Sequence, residues 1–539
     1  MTRCGSLGFS GTSQYTEASG EMFGANVAEL HLAHALLEES QALQWDIWSN
    51  EVLPSLTKTH DSRQHPPDAS VLRRQHGERV QVRSLAMLPE VLVDQRYMFL
   101  SNTAMFSRIS DLRSQLDATR MPICALTHSL YTKELSFGYG WLLLSAEPHD
   151  VIVASSNAAQ QTLENCFATA IDRISERIAE AANQLRAPRI VKIPFGTEIP
   201  KEQDLDREHA RSLLKIPVTA FVILYFGRIT EEYKADLDPL LQAVKHLDAN
   251  GCNPWLVLAG QVTDRVYMVH LERRLVALGL REKCICLENC PEFLKTPVYA
   301  ACDVVASPAD SIQETFGLSI LEAMAHSRPI IASSWSGYRD LVEDGVTGFL
   351  IRTIWPGEAS EAASIMLPTA SPLTTAHYLA QRTTIDGGEL VDRLMVLARQ
   401  PERGILMGKT GRARVEEQYA WPLIASRFLA LWEEQFVLAS KKHHDYRRKI
   451  FDNFIHYADV ILSPTDILCR IHGDESTNAG TLDSFNFHND RARAQIRQLL
   501  EMTSTVPIPI GELRQNGFDL DCILWLAKKG LRRIVKIPS

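Results

Sequence analysis

Two glutamates flank the start of an amphipathic helix, Glu314 before it and Glu322 within it, with seven residues between them. The apolar run Val304–Ser307 predicts a buried strand just upstream, and Phe316-Gly317-Leu318 begins the helix. A chain that passes from a strand through a loop into a helix directs free N–H groups and a positive dipole end at the loop, where phosphate commonly binds. Carboxylates repel phosphate, but their paired oxygens suit sugar hydroxyls. The segment therefore predicts a site for a sugar joined to a phosphate.

Arg228 and Lys234 follow the apolar run Phe221–Phe226 and Gly227. A glycine at the end of a strand lets the backbone approach phosphate closely. Arginine presents a planar fork of donors to phosphate oxygens, and lysine presents a point charge. Two cations on one such loop predict that a departing diphosphate is neutralised there without a metal. The alternative is that both side chains are simply solvated.

Two further positions are candidates in the first half of the chain. His128 ends the predicted strand Ile123–His128, where it could hydrogen-bond a sugar hydroxyl or a reacting oxygen. The alternative is a histidine whose hydrogen bonds are satisfied locally at a strand end. Gly20 and Gly24 precede the predicted helix Ala25–Leu37 and could face a phosphate or an acceptor. A plain turn at a helix entry is the alternative there.

Strand-like and helical patterns alternate along most of the chain. In the first half the predicted strands are Val80–Leu85, Tyr97–Asn102, Ile123–His128, Val151–Ser155 and Ile190–Pro194. In the second unit they are Phe221–Gly227, Trp255–Gly260, Cys284–Leu287, Val304–Ser307 and Ile330–Ser333. Such alternation predicts an α/β protein with two doubly wound parallel sheets, each binding ligands at the carboxyl ends of its strands.

The pattern suggests four segments. Residues 1–198 form a first, acceptor-side Rossmann-like domain, and 199–420 form a second, nucleotide-sugar-binding domain with an insertion at about 354–384. Residues 421–440 are predicted as a helix that closes the second unit. Residues 441–539 form an appended, mostly helical domain. A winged-helix module is an alternative for this last segment, and a small helical domain packed on its neighbour is the simpler interpretation.

Bulk composition excludes several protein classes. The chain has 539 residues with 45% apolar and 22% charged content, which is typical of a globular protein. A net charge of −9 argues against a dedicated nucleic-acid binder. The ten cysteines lack the regular spacing of a small disulfide-rich domain, and the N-terminal residues do not have the pattern of a secretory signal peptide. We expect a cytoplasmic protein with reduced thiols and at most peripheral membrane contact, and a homodimer is one option for its oligomeric state.

The ordered motifs resemble those of retaining GT-B glycosyltransferases of family four, which carry a Glu-x7-Glu signature. The resemblance covers roughly residues 20–436. The similar segments are Gly24 with its helix, Thr127-His128-Ser129, Ser155-Ser156, Ile193-Pro194-Phe195-Gly196, Phe226-Gly227-Arg228 with Lys234, Leu258-Ala259-Gly260, Glu314 to Glu322, and Gly345 to Phe349. Three features depart from the family: the start Arg3–Ser10 is polar and glycine-rich instead of apolar, Phe23 stands where the first loop often has a second glycine, and Phe195 stands where asparagine is common.

The resemblance implies two Rossmann-like domains facing a central cleft, and it implies roles for the candidate residues. Glu322 would hold the nucleotide ribose, and His128 would contact the donor sugar near its anomeric carbon. Arg228 and Lys234 would stabilise the leaving diphosphate. The catalytic set is His128, Arg228, Lys234 and Glu314, and the donor-binding set is Gly24, Gly227, Gly260, Phe316, Gly317, Leu318 and Glu322.

The implied reaction moves a hexose from a nucleoside-diphosphate sugar to an acceptor hydroxyl by a front-face mechanism, with no metal and no permanently bound cofactor. The acceptor could be a small molecule, a glycan, a lipid-linked sugar or a protein. One alternative is a sugar-nucleotide epimerase of the same fold; a phosphorylase would need a pyridoxal-phosphate lysine site, for which the sequence gives no basis. A non-enzymatic alternative is a scaffold that binds a partner protein through residues 441–539.

Overall fold

The computed structural model describes most of the two predicted α/β units and part of the C-terminal segment. The described residues are 3–8, 24–41, 43–49, 72, 74–84, 96–100, 103–115, 121–128, 130, 133–179, 185–232, 234–357, 361, 370–439, 464–469, 490–503, 506–528 and 532–535. Those up to residue 439, apart from Ser84, belong to one compact unit, and those from 464 onward belong to a second. The basic run Lys441–Lys449 and Gly20 lie outside the described residues.

The first domain is built on a seven-stranded sheet. Its strands are β1 (Arg3–Gly8), β2 (Gln44–Ser49), β3 (Val80–Ser84), β4 (Met98–Leu100), β5 (Ile123–Leu126), β6 (Val151–Ala154) and β7 (Arg189–Lys192), in the order β3-β2-β1-β4-β5-β6-β7. The polar start of the chain thus forms a central strand, which pairs in parallel with β2 and β4. Sequence pattern alone did not predict β1 or β2.

The second domain carries a six-stranded sheet in which every neighbouring pair is parallel. Its strands are β8 (Phe221–Phe226), β9 (Pro254–Gly260), β10 (Cys284–Glu288), β11 (Val304–Ser307), β12 (Ile330–Ser333) and β13 (Gly348–Ile351), in the order β10-β9-β8-β11-β12-β13. The chain order reverses beside β8, so the loops after β8 and β11 open at the switch point where doubly wound sheets bind ligands.

Helices connect these strands and cover the sheets. In the first domain they are α1 (Gly24–Glu39), α2 (Phe106–Gln115), α3 (Lys133–Ser145) and α4 (Asn157–Ser175). In the second they are α5 (Arg207–Leu214), α6 (Asp238–Ala249), α7 (Arg265–Ala277), α8 (Glu292–Ala301), α9 (Leu318–Ala325), α10 (Tyr338–Leu341), α11 (Pro372–Ala380), α12 (Gly387–Arg399), α13 (Pro401–Gln418) and α14 (Trp421–Ala439).

The central strands are apolar on both faces because helices cover both sides of each sheet. All four residues of β6, β11 and β12 are buried. Continuous runs of Val, Ile and Ala are typical of parallel strands that are covered in this way. Burying one Val or Ile side chain stabilises the fold by about 1.5–3 kcal/mol. The α/β class and the two parallel sheets predicted from the sequence are confirmed.

Helix α14 follows the second domain in sequence but contacts aromatic side chains of the first. The ring of Trp432 lies 5.0 Å from that of Tyr97, 5.2 Å from Phe99 and 5.9 Å from Trp45, measured between centroids. Trp432 and Trp45 are each 1% exposed. The helix therefore completes the hydrophobic core of the first domain, whereas its place in the sequence suggested that it closes the second.

The segment predicted as an insertion lies between two short strands, β14 (Thr353–Ile354) and β15 (Thr384–Ile385), which pair antiparallel. The described part of this segment includes helix α11, and residues 358–360 and 362–369 lie outside the description. The second compact unit contains helices α15 (Asp490–Met502), α16 (Ile510–Gln515) and α17 (Leu520–Lys528). It also has an antiparallel sheet of β16 (Ile467–Cys469), β17 (Ile508–Pro509) and β18 (Arg533–Val535), in the order β17-β16-β18. The winged-helix interpretation stays a prediction.

Candidate functional site

The loop between β11 and α9 turns sharply into its helix at Gly317. This residue has φ +111°, in the left-handed region that favours glycine. A Cβ added there would lie 2.6 Å from the ring of Tyr338. Ile320 N–H donates to the Gly317 carbonyl at 3.1 Å, whereas the N–H groups of Leu318 and Ser319 have no acceptor within the helix. The sequence thus places glycine at the position where a side chain would block the turn, and it presents backbone donors at the carboxyl edge of the sheet.

Glu314 lies at the centre of a polar cluster on this loop. Its Oε2 forms an ion pair with Lys234 and accepts a hydrogen bond of 3.2 Å from the Tyr338 hydroxyl. Its Oε1 accepts a bond of 3.3 Å from the backbone N–H of Phe316. The Tyr338 hydroxyl also lies 2.8 Å from Ser307 Oγ. Both carboxylate oxygens are therefore held by donors from three elements.

The environment of Glu314 favours its charged form. Burial alone would raise the pKa of this carboxyl, but Lys234 together with the hydrogen bonds from Phe316 and Tyr338 outweighs burial, so that the pKa is lowered. Burial and the neighbouring Glu314 charge raise the pKa of the Tyr338 hydroxyl well above its usual range. Tyr338 thus remains a neutral donor. The site presents an anion next to a cation, with a neutral donor beside them.

Arg228 and Lys234 both reach the loop that carries Glu314. Arg228 Nη2 donates to Gln313 Oε1 at 2.8 Å, and the backbone carbonyl of Arg228 accepts a 2.7 Å hydrogen bond from the Tyr225 hydroxyl. Arg228 and Lys234 thus both contact the loop that precedes α9, and their role at this loop stays a prediction. Two positive side chains and the helix N-terminus can together stabilise negative charge that develops between them.

Gly227 and Gly260 bring the backbones of two neighbouring loops together. A Cβ added at Gly260 would lie 2.0 Å from the carbonyl oxygen of Gly227. Gly260 has φ +136°, and a Cβ at Gly227 would lie 3.3 Å from Lys234 Cε. Gly260 therefore requires glycine, whereas a methyl group at Gly227 would press on the side chain of Lys234, the lysine of the site.

Glu322 is paired inside the second domain. Lys295 Nζ lies 2.7 Å from its Oε1, and the Tyr299 hydroxyl donates to its Oε2 at 3.2 Å. Burial opposes the charge on Lys295, but Glu322 and Glu292 outweigh it and raise the pKa of the lysine. The Tyr299 ring is stacked between those of Phe226, at 5.0 Å, and His326, at 4.7 Å. The carboxylate is thus fixed in orientation by a lysine and a rigid tyrosine.

His128 lies just after β5, and the segment that bears it contacts both domains. Its Nε2 is 3.0 Å from Glu29 Oε1. Its ring stacks on that of Phe195 with 5.3 Å between centroids, and Phe195 meets Phe316 edge-on at 5.4 Å. The backbone carbonyl of His128 accepts a 2.5 Å hydrogen bond from Thr315 Oγ1. His128 is therefore placed near the Glu314 loop.

The first turn of α4 also meets the second domain. Ser156 is the N-cap residue, accepting from the N–H of Ala159 at 3.1 Å, and its hydroxyl donates to the Thr315 carbonyl at 2.6 Å. Asp340 accepts from the backbone N–H of Asn157 at 2.7 Å and from its side chain at 3.0 Å. A carboxylate at a helix N-terminus is favoured by the helix dipole. The two domains are thus joined at the edges where their strands end.

Beside the Lys234 loop lies an open pocket of about 690 Å³ that α11 helps to line. Glu231, Asp236 and Asp310 contribute carboxyls to it, and His377 comes from the helix. Burial raises the pKa of Asp310 to about 7, with further contributions from Asp236 and Glu231. Burial, followed by the Asp236 charge, also raises the pKa of Glu231. The carboxyls of Asp310 and Glu231 are therefore protonated more readily than usual, in contrast to that of the neighbouring Glu314.

The structure brings together most of the candidate residues. Arg228, Lys234, Glu314 and Phe316 form one contact network, with Gly227, Gly260 and Gly317 shaping its backbone. Glu322 lies further along α9, and His128 approaches from the first domain. Gly24 is the first residue of α1, and no described contact joins it to this network. Sequence reasoning missed Thr315, Lys295 and Tyr338.

The described residues show neither a metal-binding cluster nor a membrane-spanning helix. In the described part of the chain, no three histidine, cysteine, aspartate or glutamate side chains are arranged to hold a metal ion. None of the described helices combines the length and apolarity needed to cross a bilayer.

Comparison with known proteins gives a family match in the second domain. Residues 206–367 match the family model of the glycosyl transferases group 1. The chain is 27% identical over 264 residues to D-inositol 3-phosphate glycosyltransferase 1 of Catenulispora acidiphila, covering 46% of this chain and 62% of that protein. It is 28% identical over 221 residues to alpha-D-kanosaminyltransferase of Streptomyces kanamyceticus, covering 38% of this chain and 55% of that protein. The chain spans less than two thirds of the length of these curated relatives.

Solved structures show the same fold. HepE from Anabaena, solved in complex with UDP, superposes with a TM-score of 0.55 at 16% identity, covering 80% of this chain and 100% of HepE. Sucrose-phosphate synthase from Thermosynechococcus elongatus gives a TM-score of 0.53 at 17% identity, covering 81% of this chain and 100% of the synthase. The arrangement of two Rossmann-like domains expected from the sequence is therefore confirmed.

Proposed function

We propose, from the premise that residues 206–367 are a group 1 glycosyltransferase domain, that the protein is a GT-B glycosyltransferase. It transfers a hexose from a nucleoside-diphosphate sugar to an acceptor hydroxyl with retention of configuration. The observation that carries the proposal is the convergence of Lys234, Arg228 and the N-terminus of α9 on the loop of Glu314. Cations and free N–H groups at one point suit a diphosphate leaving group.

Charge stabilisation is the main contribution of these residues to the reaction. As the bond to the anomeric carbon breaks, negative charge grows on the distal phosphate, and preorganised donors lower the barrier. Lys234 is already held by Glu314, so it is positioned before the donor arrives. Removing one donor of this kind typically costs a factor of about 10²–10³ in turnover.

The carboxylates suit the two sugar rings of the donor. Glu314, kept ionised by Lys234, accepts hydrogen bonds from hydroxyls of the transferred hexose. Glu322, oriented by Lys295 and Tyr299, accepts from the ribose hydroxyls. His128 reaches the hexose from the first domain near the anomeric carbon. The donor is then contacted from both domains, and their closure excludes water that would otherwise hydrolyse it.

In the front-face mechanism the acceptor attacks from the side on which the diphosphate leaves, and the donor phosphate takes the acceptor proton. The reaction needs no metal in this proposal because Arg228 and Lys234 supply the positive charge. A sugar-nucleotide epimerase would instead turn over the donor without an acceptor. A scaffold acting through residues 441–539 would retain its activity after replacement of Glu314 or Lys234. None of the comparisons favours either alternative.

A donor screen tests the proposal. UDP-, GDP-, ADP- and dTDP-sugars are compared by thermal shift, starting with UDP-glucose because HepE was also solved with that compound. A donor at a hundred times its dissociation constant stabilises the fold by about 2.7 kcal/mol. We expect a shift with one donor class, retained after chelation with EDTA. NMR of the product formed with a simple sugar acceptor then reports the anomeric configuration. Failure of every donor and every free nucleotide to shift the melting temperature would reject the proposal.

A further inference from the structure

The segment that carries Glu314 is hydrogen-bonded to the first domain through one residue, Thr315. Its Oγ1 donates to the backbone carbonyl of His128 at 2.5 Å, and its carbonyl accepts from Ser156 Oγ at 2.6 Å. His128 follows β5 and Ser156 follows β6, so the two partners come from neighbouring strands of the first sheet. Thr315 is therefore held on both its side chain and its backbone by the opposite domain.

A series of aromatic contacts accompanies these hydrogen bonds. Phe195, in the connection that leads from the first domain to the second, lies between the rings of His128 and Phe316. It is 5% exposed, and Phe316 is 3% exposed. Aromatic rings prefer such edge-on and offset-stacked arrangements, so these contacts hold the three side chains in fixed orientations. The phenylalanine that replaces the common asparagine thus links His128 to the residue after Thr315.

Thr315 stands between two groups of the proposed donor site. The residue before it is Glu314, and the residue after it supplies the N–H that bonds Glu314 Oε1 at 3.3 Å. A shift of the Thr315 backbone would move both groups relative to Lys234 and Tyr338, which are anchored in the second domain. Thr315 is 9% exposed, so a lost hydrogen bond there is poorly replaced by water.

We propose that Thr315 is a positioning residue that couples the meeting of the two domains to the placement of Glu314 and the Phe316 N–H. This inference rests on the proposed function. The hydrogen bonds to His128 and Ser156 form only when the domains meet, and they fix the Glu314 loop in the geometry that receives the donor hexose. A domain-opened protein still binds nucleotide through Lys234 and Glu322, but its hexose site is incomplete.

Kinetics separate positioning from binding. Thr315→Val removes the hydroxyl while nearly keeping the shape of the side chain, and Thr315→Ser restores the hydroxyl. With UDP-glucose as donor we expect kcat of Thr315→Val to fall by about 10–100-fold, as for loss of a positioned hydrogen bond. Its UDP dissociation constant should stay within about twofold of wild type, and Thr315→Ser should recover most of kcat. Equal kcat in Thr315→Val and wild type, or no recovery in Thr315→Ser, would overturn the inference.

Hydrogen–deuterium exchange tests the coupling without any substrate. Ser156→Gly removes the donor to the Thr315 carbonyl, yet glycine retains most of the capping propensity of serine. Ser156→Thr keeps the hydroxyl. We expect amides of residues 313–319 to exchange about tenfold faster in Ser156→Gly and Thr315→Val than in wild type, and unchanged in Ser156→Thr. Asn157→Ala is the matched control, since its side chain bonds Asp340 across the domains without touching this loop.

The two measurements distinguish two kinds of failure. Faster exchange in Ser156→Gly, together with no turnover of any nucleotide sugar by wild type, would establish the coupling and reject the proposed transferase function. Unchanged exchange of residues 313–319 in both Ser156→Gly and Thr315→Val would reject the coupling even in an active transferase. Melting temperatures of all variants identify any that fail to fold.

Discussion

Gly260 packs against Gly227 so closely that a Cβ on Gly260 would lie 2.0 Å from the Gly227 carbonyl oxygen. This contact fixes the relative position of the loops after β8 and β9, and the first of these loops carries Arg228 and Lys234. The two glycines are far apart in sequence but adjacent at the edge of the sheet. The backbone of the proposed phosphate site is therefore set by packing as well as by its charged side chains.

Gly260→Ala should destabilise the protein for two reasons. The residue has φ +136°, and its new methyl group would overlap backbone. Overpacking typically costs about 1–3 kcal/mol in addition to the backbone strain. Gly251→Ala is the control, because Gly251 has φ +76° with open space around it and should cost only about 1–2 kcal/mol. Urea unfolding monitored by circular dichroism measures the free energy of unfolding of both variants. Equal losses would show that the Gly227 contact relaxes freely.

Lys234→Met should reduce turnover in the protein that still folds, because it removes a cation of the proposed phosphate site as well as the ion-pair partner of buried Glu314. The variant removes the cation nearest Glu314, and we expect kcat to fall by about 10²–10³-fold if Lys234 stabilises the leaving diphosphate. Lys245→Met, on the exposed face of α6, controls for a general loss of positive charge. The assay is initial-rate kinetics with the donor identified by thermal shift. A Lys234→Met enzyme with normal kcat would contradict the role given to this lysine.

Lys295→Met should act mainly on donor affinity. The variant leaves the Glu322 carboxylate with its Tyr299 hydrogen bond but without its ion pair, so the carboxylate is oriented less well toward the ribose. A loss of about 1.4 kcal/mol corresponds to a tenfold higher dissociation constant for the nucleotide, measured by calorimetry. Lys283→Met, which breaks the pair with Asp248, is the matched control and should bind nucleotide normally. Tenfold weaker binding in both variants would point to a general effect of charge.

Asp310→Asn should alter the pH dependence of stability. The folded state raises the pKa of Asp310 to about 7, so it binds the proton more tightly than the unfolded chain, in which the value is about 3.9. The contribution of Asp310 to the free energy of unfolding is therefore fully present below about pH 4. It decreases by a few kcal/mol as the pH rises to about 7. The variant lacks this decrease and should be more stable than wild type at pH 8.

Thermal melts of Asp310→Asn and wild type from pH 5 to pH 8 test this expectation. Asp236, Glu231 and His377 also line the pocket, so the comparison with wild type at each pH isolates the contribution of Asp310. Asp172→Asn, on the exposed face of α4, is the control and should follow the wild-type curve. Parallel curves for Asp310→Asn and wild type would show that burial does not hold the proton on this carboxyl.

Loss of the ion pair between Arg113 and Asp150 should strongly destabilise the first domain. Both side chains are 0% exposed, and the two guanidinium nitrogens reach the two carboxylate oxygens at 2.6 and 2.7 Å. Arg113→Met leaves a buried carboxylate without its cation, which costs about 3–5 kcal/mol. Arg189→Met breaks the half-exposed pair with Glu434 and should cost less than about 1 kcal/mol. Denaturant unfolding measures the free energy of unfolding of both variants. A small decrease in Arg113→Met would mean that water or another cation replaces the arginine.

The pattern of apolar and polar residues predicted those parts of the fold that are formed by consecutive residues of the chain. The strand, loop and helix around Glu314 are continuous in the chain, so their alternation of apolar and polar residues was sufficient to place them. Gly227, Arg228 and Lys234 also lie on one continuous loop after a strand, so their positions could be predicted for the same reason. Strand β1 was missed because Arg3–Gly8 lacks an apolar run, although it pairs with two neighbours in the sheet.

Contacts between distant segments could not be predicted in this way. Lys295 pairs with Glu322 from the preceding helix, and no spacing rule connects the two positions. Thr315 lies inside the signature, but its partners His128 and Ser156 are supplied by the other domain. The destination of helix α14 was also missed, because an amphipathic pattern identifies a buried face without saying which domain covers it.

The position of Trp432 has a practical consequence for anyone who wishes to express one half of the molecule. A first-domain fragment that ends near residue 198 would lack Trp432, whose ring contacts Trp45, Tyr97 and Phe99. These side chains would then form an exposed apolar surface that is prone to aggregation. To remain soluble, a first-domain fragment should include helix α14, joined to it through a linker. The reciprocal fragment should end before Trp421.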